Sequence, residues 1–247
     1  LLHDRHLGNQ SGDHPKRNRH PQPACSCAYL SRCGRAPFEG VWPAPTSPPQ
    51  VSSPGKPLIV ISIPRAGTYL FSRTLEELGL SASQLHLRLD SLTDYRGADE
   101  TTARMHPDQL RRLIPLTESL QMLSEQEFAV GHLAFRNRTA RLLEGYPKLV
   151  LKREARQALY SYYCLLRDTG RQQASLKGWF NLPAAQGLIG FLEEQGRRRL
   201  NTMLAIQRWE DRQKVPTLCF EWLREGNVAS ALPVFQTARA GFASLTE

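Results

Sequence analysis

Hydrophobic and polar positions divide the chain into two unlike parts near residue 57. Before that point no apolar periodicity is sustained. After it, short apolar runs alternate with helical patterns. Leu58-Ile59-Val60-Ile61-Ser62-Ile63 is a β-branched run of the kind that forms a strand buried on both faces of a parallel sheet. Pro64-Arg65-Ala66-Gly67-Thr68 reads as a turn. Tyr69 to Leu78 reads as a helix, with Leu70, Leu75 and Leu78 apolar and Gly79 as its stop. Residues 107–123 predict a second amphipathic helix through Leu110, Leu113, Leu116, Leu120 and Leu123. Phe128-Ala129-Val130 predicts a second strand, and Leu149-Val150-Leu151 a third that leads into a helix from Ala155 to Leu166. Residues 184–213 predict a helix broken at Gly190 or Gly196, and Pro216-Thr217-Leu218-Cys219-Phe220 a fourth strand. Residues 81–106 and 168–183 read as variable loops. Strands alternating with helices predict an α/β class, a three-layer α/β/α arrangement with a central parallel sheet.

Composition sharpens the boundary. Of the 247 residues, the first 57 hold ten of the 17 prolines, four of the seven histidines and three of the five cysteines. Such a segment buries too little apolar surface to offset its chain entropy, so residues 1–56 read as a disordered Pro/His/Arg-rich tail and 57–247 as the folded domain. His20, Cys25, Cys27 and Cys33 offer soft ligands, but their spacing is not that of a zinc knuckle, and no metal is expected. Cys164 and Cys219 lie in apolar runs and read as reduced core residues, which suits a cytoplasmic location. No run approaches the roughly 18 apolar residues of a membrane span, and the opening lacks the apolar core of a secretory leader. The net charge of +9 favours an anionic partner, whether nucleic acid, a phosphorylated cofactor or an acidic surface.

Candidate chemistry begins at the first turn. A small-residue loop between strand and helix points backbone N–H groups toward the helix N-terminus, where partial positive charge favours an anion. Arg65 adds a full charge, Gly67 permits close approach and Thr68 offers a hydroxyl. The Gly-x4-Gly-Lys-Ser/Thr loop of nucleotide triphosphatases is absent, which disfavours ATP hydrolysis. On its own the segment fits either an anion site or an ordinary strand-to-helix turn. Arg153 directly follows the third strand, at the sheet end where open α/β proteins bind ligands, and Ser161 lies eight residues on in the next helix. Together they fit a second phosphate or, separately, a solvated arginine and a packed serine. Arg197, Arg198 and Arg199, with Arg208 and Arg212, read as a solvated helix face rather than a nucleic-acid site, because no aromatics interleave with them. Tyr160, Tyr162 and Tyr163 suit either an acceptor pocket or core packing.

In this order the segments resemble the sulfotransferases that use 3′-phosphoadenosine 5′-phosphosulfate. Residues 58–79 are similar to that family's 5′-phosphosulfate loop and helix, usually Pro-Lys-Ser-Gly-Thr-Thr-Trp. Residues 148–163 resemble its 3′-phosphate segment, an Arg followed eight residues later by Ser. Gly131-His132-Leu133 resembles its His-Leu segment, and Phe220-Glu221-Trp222 its Tyr-Glu-Asp strand end. Arg65 stands where the loop lysine is usual, Ala66 for serine, Tyr69 for the second threonine and Leu70 for the adenine-stacking tryptophan. The late Arg-Lys-Gly loop is missing, Arg239-Ala240-Gly241 being a superficial match, so the resemblance implies a C-terminally truncated domain.

The resemblance implies transfer of a sulfuryl group to a hydroxyl or amine of a small-molecule, lipid or carbohydrate acceptor, without metal. It implies His132 as general base with Arg65 in the catalytic step. It implies Arg65, Ala66, Gly67, Thr68, Tyr69, Leu70, Arg153, Ser161 and Phe220 as the residues that hold the donor. The alternatives are a catalytically impaired nucleotide-binding remnant of that fold, a P-loop kinase, and a basic nucleic-acid-binding protein.

Overall fold

The computed structural model describes residues 56–169, 178–226 and Val234. The β-branched run forms β1 (Leu58–Ser62), buried at all five positions. Parallel neighbours pair with both of its edges, β5 (Glu127–Gly131) and β6 (Lys148–Lys152). Leu58, Ile59, Val60 and Ile61 are at most 2 % exposed, each contributing about 1.5–3 kcal/mol of burial. Outside β5 lies parallel β2 (Ser81–Leu87), and outside β6 lies parallel β7 (Thr217–Cys219). β3 (Leu92–Asp94) and β4 (Arg111–Arg112) extend the β2 edge in antiparallel pairing. The order across the seven strands is β4-β3-β2-β5-β1-β6-β7.

The sheet is therefore larger than four strands and only mostly parallel. Residues 81–106, expected as loop, contain β2, β3 and the short helix α2 (Glu100–Met105), capped by Asp99. Ser83, Leu85 and Leu87 face inward in β2, a period-2 pattern weakened by small polar residues. Between Ala82 and His86 the register with β5 slips, with Gln84 at φ 57, which brings His86 level with Val130 near the carboxyl end of both strands.

The single helix expected over residues 107–123 does not form. Pro107–Leu110 is a 3-10 turn, β4 follows, and only α3 (Leu116–Gln121) is α-helical. Pro115 lacks a backbone donor and biases Ile114 toward extended backbone, so the leucine spacing could not be used as one helix. Leu113 is left 82 % exposed.

Two helices fall near their expected places: α1 (Thr68–Glu77) follows β1 and α5 (Ala155–Thr169) follows β6. The short helix α4 (Asn137–Leu142), after β5, was not expected from the sequence. α6 (Ala184–Phe191) and α7 (Arg197–Gln213) are not broken between them but joined by a π-helical turn, Leu192–Gly196. Phe220, expected to end a strand, opens α8 (Phe220–Arg224). The core joins the sheet to Phe71 and Leu75 of α1 and to Met203, Ile206 and Trp209 of α7. The N-terminal segment other than Lys56, its His/Cys set and Arg239-Ala240-Gly241 lie outside the described residues. Among the described residues no helix is long and apolar enough to cross a membrane.

Candidate functional site

Three adjacent parallel strands end together, and the three segments singled out in the sequence follow them. Arg65 lies beyond β1, His132 beyond β5 and Arg153 beyond β6. This is the sheet end at which open α/β folds gather ligands.

The turn after β1 alternates its backbone hand. Arg65 has φ 69 and Gly67 has φ 79, with Ala66 between them outside the positive region. Such alternation turns successive N–H groups into one concavity suited to an anion. Ala66 is fully buried, and its N–H donates to the Ile63 carbonyl at 3.1 Å, so its amide is spent within the turn. Gly67 caps α1 without a side chain, and its carbonyl accepts from Phe71 N–H at 3.1 Å. The N–H groups of the first helical turn, beginning at Thr68, point outward without intrahelical acceptors. Tyr69 and Leu70 are exposed beside them. Glycine is required at 67 for a second reason: a Cβ there would overlap the Phe220 ring.

Arg65, Arg153, Ser161 and Phe220 form one connected group. Arg65 Nε donates to Ser161 Oγ at 3.3 Å, and Arg153 Nη1 donates to the Arg65 carbonyl at 3.0 Å. The Arg153 guanidinium lies 4.6 Å from the centre of the Phe220 ring. Its Nε is buried without a hydrogen-bond partner, a donor left over inside a polar site. Burial lowers the Arg153 pKa, Glu221 opposes this, and Arg65 adds repulsion. Glu221 Oε1 also accepts the Glu154 N–H at 3.1 Å, tying α8 to the start of α5.

His132 is anchored from beneath. Its Nδ1 lies 2.7 Å from the Ser62 carbonyl, which can only accept, so Nδ1 carries the proton and Nε2 the lone pair. Ser62 Oγ stands 3.3 Å from the same nitrogen and 3.2 Å from Thr68 Oγ1, a polar chain from the histidine to the phosphate-loop candidate. Burial lowers the His132 pKa from 6.5 to about 4; the Ser62 carbonyl opposes the shift, while Arg88 and Arg199 reinforce it. The ring is therefore neutral at pH 7. His86 packs edge-on against it with centroids 4.4 Å apart, and His86 Nε2 is buried without a partner.

The expected site residues thus lie at or beside the carboxyl ends of the central strands, with Ala66 serving the turn rather than offering its amide. Ser62, His86 and Arg88 were not anticipated, and Arg199, expected on a solvated helix face, instead buries its Nε. Ser62 was legible only as the polar end of an apolar run, and His86 only as a polar position between Leu85 and Leu87. Tyr163 belongs to the core, 1 % exposed, and its hydroxyl donates to the Ala184 carbonyl at 2.9 Å. Tyr160 is half exposed, and Arg199 covers the Tyr162 ring at 4.3 Å. Comparison of the chain with family models, with curated proteins and with solved structures found no match.

Proposed function

We propose that this protein transfers a sulfuryl group from 3′-phosphoadenosine 5′-phosphosulfate to a hydroxyl or amine acceptor, on a three-layer α/β/α domain with a P-loop-type phosphate site. The observation that carries the proposal is the convergence of Arg65, Arg153, Ser161 and His132 at the carboxyl ends of β5, β1 and β6. The alternating turn and the orphaned Arg153 Nε fit a ligand bearing two separated phosphates. The donor supplies an activated sulfuryl group on a phosphate leaving group.

The chain's own residues then divide the work. Arg65 and the N–H groups of Gly67 and Thr68 hold the 5′-phosphosulfate and stabilise charge that develops on the leaving oxygen. Arg153 and Ser161 hold the 3′-phosphate. Tyr69 and Leu70 offer exposed surface to the adenine, and Phe220 braces both phosphate segments. His132 Nε2 takes the acceptor's proton, its lone pair oriented by the bond from Nδ1 to Ser62. Anionic phosphates nearby raise the proton affinity of a ring that burial has made weakly basic. We place the reaction in the cytoplasm, whose reducing conditions suit the thiol of Cys219.

A labelled-sulfate donor offered to phenols, sugars and lipids tests the proposal. His132→Ala should lower transfer by ~10²–10⁴ and leave donor affinity within about threefold. Full transfer by a folded His132→Ala variant would remove His132 from the chemistry. A second reading, a catalytically impaired nucleotide-binding protein, is favoured by the His132 pKa of about 4, which weakens it as a base. Tight binding of 3′,5′-bisphosphoadenosine without transfer to any acceptor would select it.

A further inference from the structure

The loop carrying His132 continues through Leu133, Ala134 and Phe135 to Arg136, and α7 holds it at two points. Phe135 N–H donates to the Ala205 carbonyl and Trp209 Nε1 to the Leu133 carbonyl, both at 2.8 Å. The Phe135 and Trp209 rings meet edge to face with centroids 5.1 Å apart. Whatever α7 binds is therefore held in fixed register with His132.

A cavity of about 180 Å³ opens at His132. Ala134 and Arg136 line both this cavity and a neighbouring cleft of about 610 Å³. Positions 197, 198, 201, 202 and 205 share one face of α7 by helical spacing, and all five line the cleft. The π-helical turn adds Glu193 and Glu194, the latter held by Trp179 Nε1 at 3.1 Å. Turns of this kind recur where a helix is reshaped for function.

Apart from Ala134 and Ala205, every residue of the lining carries a charged or hydrogen-bonding head on an aliphatic stem. Arg136, Arg197 and Arg198 outnumber Glu193 and Glu194, and Asn201 and Thr202 add neutral hydrogen-bonding groups. A phenol, sterol or acyl chain draws its affinity from aromatic and large aliphatic side chains, and none of these lines the cleft among the described residues. Guanidinium groups instead fork onto carboxylate or sulfate oxygens, while amide, hydroxyl and carboxylate groups suit sugar hydroxyls.

We propose that this cleft is the acceptor site and that the acceptor is an acidic saccharide, a polyhydroxylated chain bearing carboxylate or sulfate groups. The inference rests on the sulfuryl-transfer reading and specifies its substrate class. Arg197 and Arg198 hold an acidic group of the saccharide while one hydroxyl reaches His132 through the smaller cavity. That oxygen forms the new bond to sulfur as the bond from sulfur to the phosphate oxygen breaks. Its proton passes to His132 Nε2, and the electron pair of the broken bond leaves with the phosphate.

Titration calorimetry of the full chain with a glucuronate-containing tetrasaccharide and its carboxyl-reduced, neutral counterpart tests the site apart from turnover. The acidic form should bind about tenfold tighter or better, and the Arg197→Ala/Arg198→Ala variant should lose that preference. An Arg73→Ala/Lys214→Ala variant removes two exposed cations outside the cleft and should retain it. In transfer assays the first variant should raise KM for the acidic tetrasaccharide about tenfold, with kcat and 3′,5′-bisphosphoadenosine affinity within about threefold. Equal binding of the acidic and neutral forms overturns the inference, as do equal losses in the two variants or preferential transfer to 2-naphthol. Cleft-dependent binding of the acidic form without any transfer would sink the sulfuryl-transfer reading and leave the saccharide site standing.

Discussion

Acidification should leave His132 neutral well below the pH at which a solvated imidazole charges. Burial moves its pKa from 6.5 to about 4; the Ser62 carbonyl pulls the other way, and Arg88 and Arg199 add repulsion. At ~1.36 kcal/mol per pH unit, that drop amounts to about 3 kcal/mol. The folded ring refuses a proton that the unfolded chain accepts, so the unfolded state binds more protons below pH 6.5. Stability from this group is therefore complete above pH 6.5, declines as pH falls, and is lost by about pH 4. At pH 5 the share lost is ~2 kcal/mol. His86 is lowered well below its ordinary value by burial, then by His132 and Arg88, and works in the same direction. Urea unfolding at pH 7.5 and pH 5 of the parent and of His132→Gln should show a smaller pH-dependent loss in the variant. An NMR titration of the ligand-free protein should find the His132 ring neutral at pH 5. A ring that titrates between pH 6 and 7, with equal pH dependence in both proteins, would refute the buried, Ser62-anchored histidine.

The geometry of the turn after β1 and of its supports gives further expectations. Gly67→Ala should cost about 1–2 kcal/mol for the left-handed backbone and a further ~1–3 for the displaced Phe220 ring. Adding Phe220→Ala should recover only the second part, and an unchanged unfolding midpoint in Gly67→Ala contradicts the packing. Arg153→Ala should cost ~1.5–3 kcal/mol, roughly ten- to hundredfold in affinity, for a nucleotide with a 3′-phosphate and far less for one without. Equal losses for both nucleotides would place Arg153 elsewhere. Trp209→Phe strands the buried Leu133 carbonyl and should lower stability by about 1–3 kcal/mol in urea unfolding at unchanged m-value, whereas no change would mean the bond contributes nothing.

The core strands and the order of the chemistry-bearing segments were legible in the sequence because they depend on local pattern. A β-branched run such as Leu58–Ile61 has few places to go except the centre of a sheet, and the short runs at 128–130 and 149–151 became its two neighbours. Gly67 announced a turn with close backbone approach, and its positive φ came only with the structure. The leucines of 107–123 misled because side-chain spacing is blind to a backbone break, and Pro115 supplied one. β2 escaped notice because Ser81, Ser83 and Gln84 dilute its alternation; it exists because the β5 edge offers unpaired backbone groups. The glycines at 190 and 196 suggested a break, but packing against Trp179 and the sheet kept one helical path and inserted a π turn instead.

By itself the sequence determined an α/β domain with a strand-loop-helix start, and it named Arg65, His132, Arg153 and Ser161 as residues of interest. Only the tertiary structure decided that they meet. Strand order, which pairs β1 with both β5 and β6, is a long-range choice that no local pattern encodes, and it sets histidine and arginines side by side across 88 residues of chain from Arg65 to Arg153. The structure also decided the histidine's state. Its tautomer follows from a carbonyl 70 residues away, and its neutrality from the burial and neighbouring arginines that the fold supplies. Charge state depends on desolvation and on distance to other charges, and both are properties of the folded surroundings rather than of residue type.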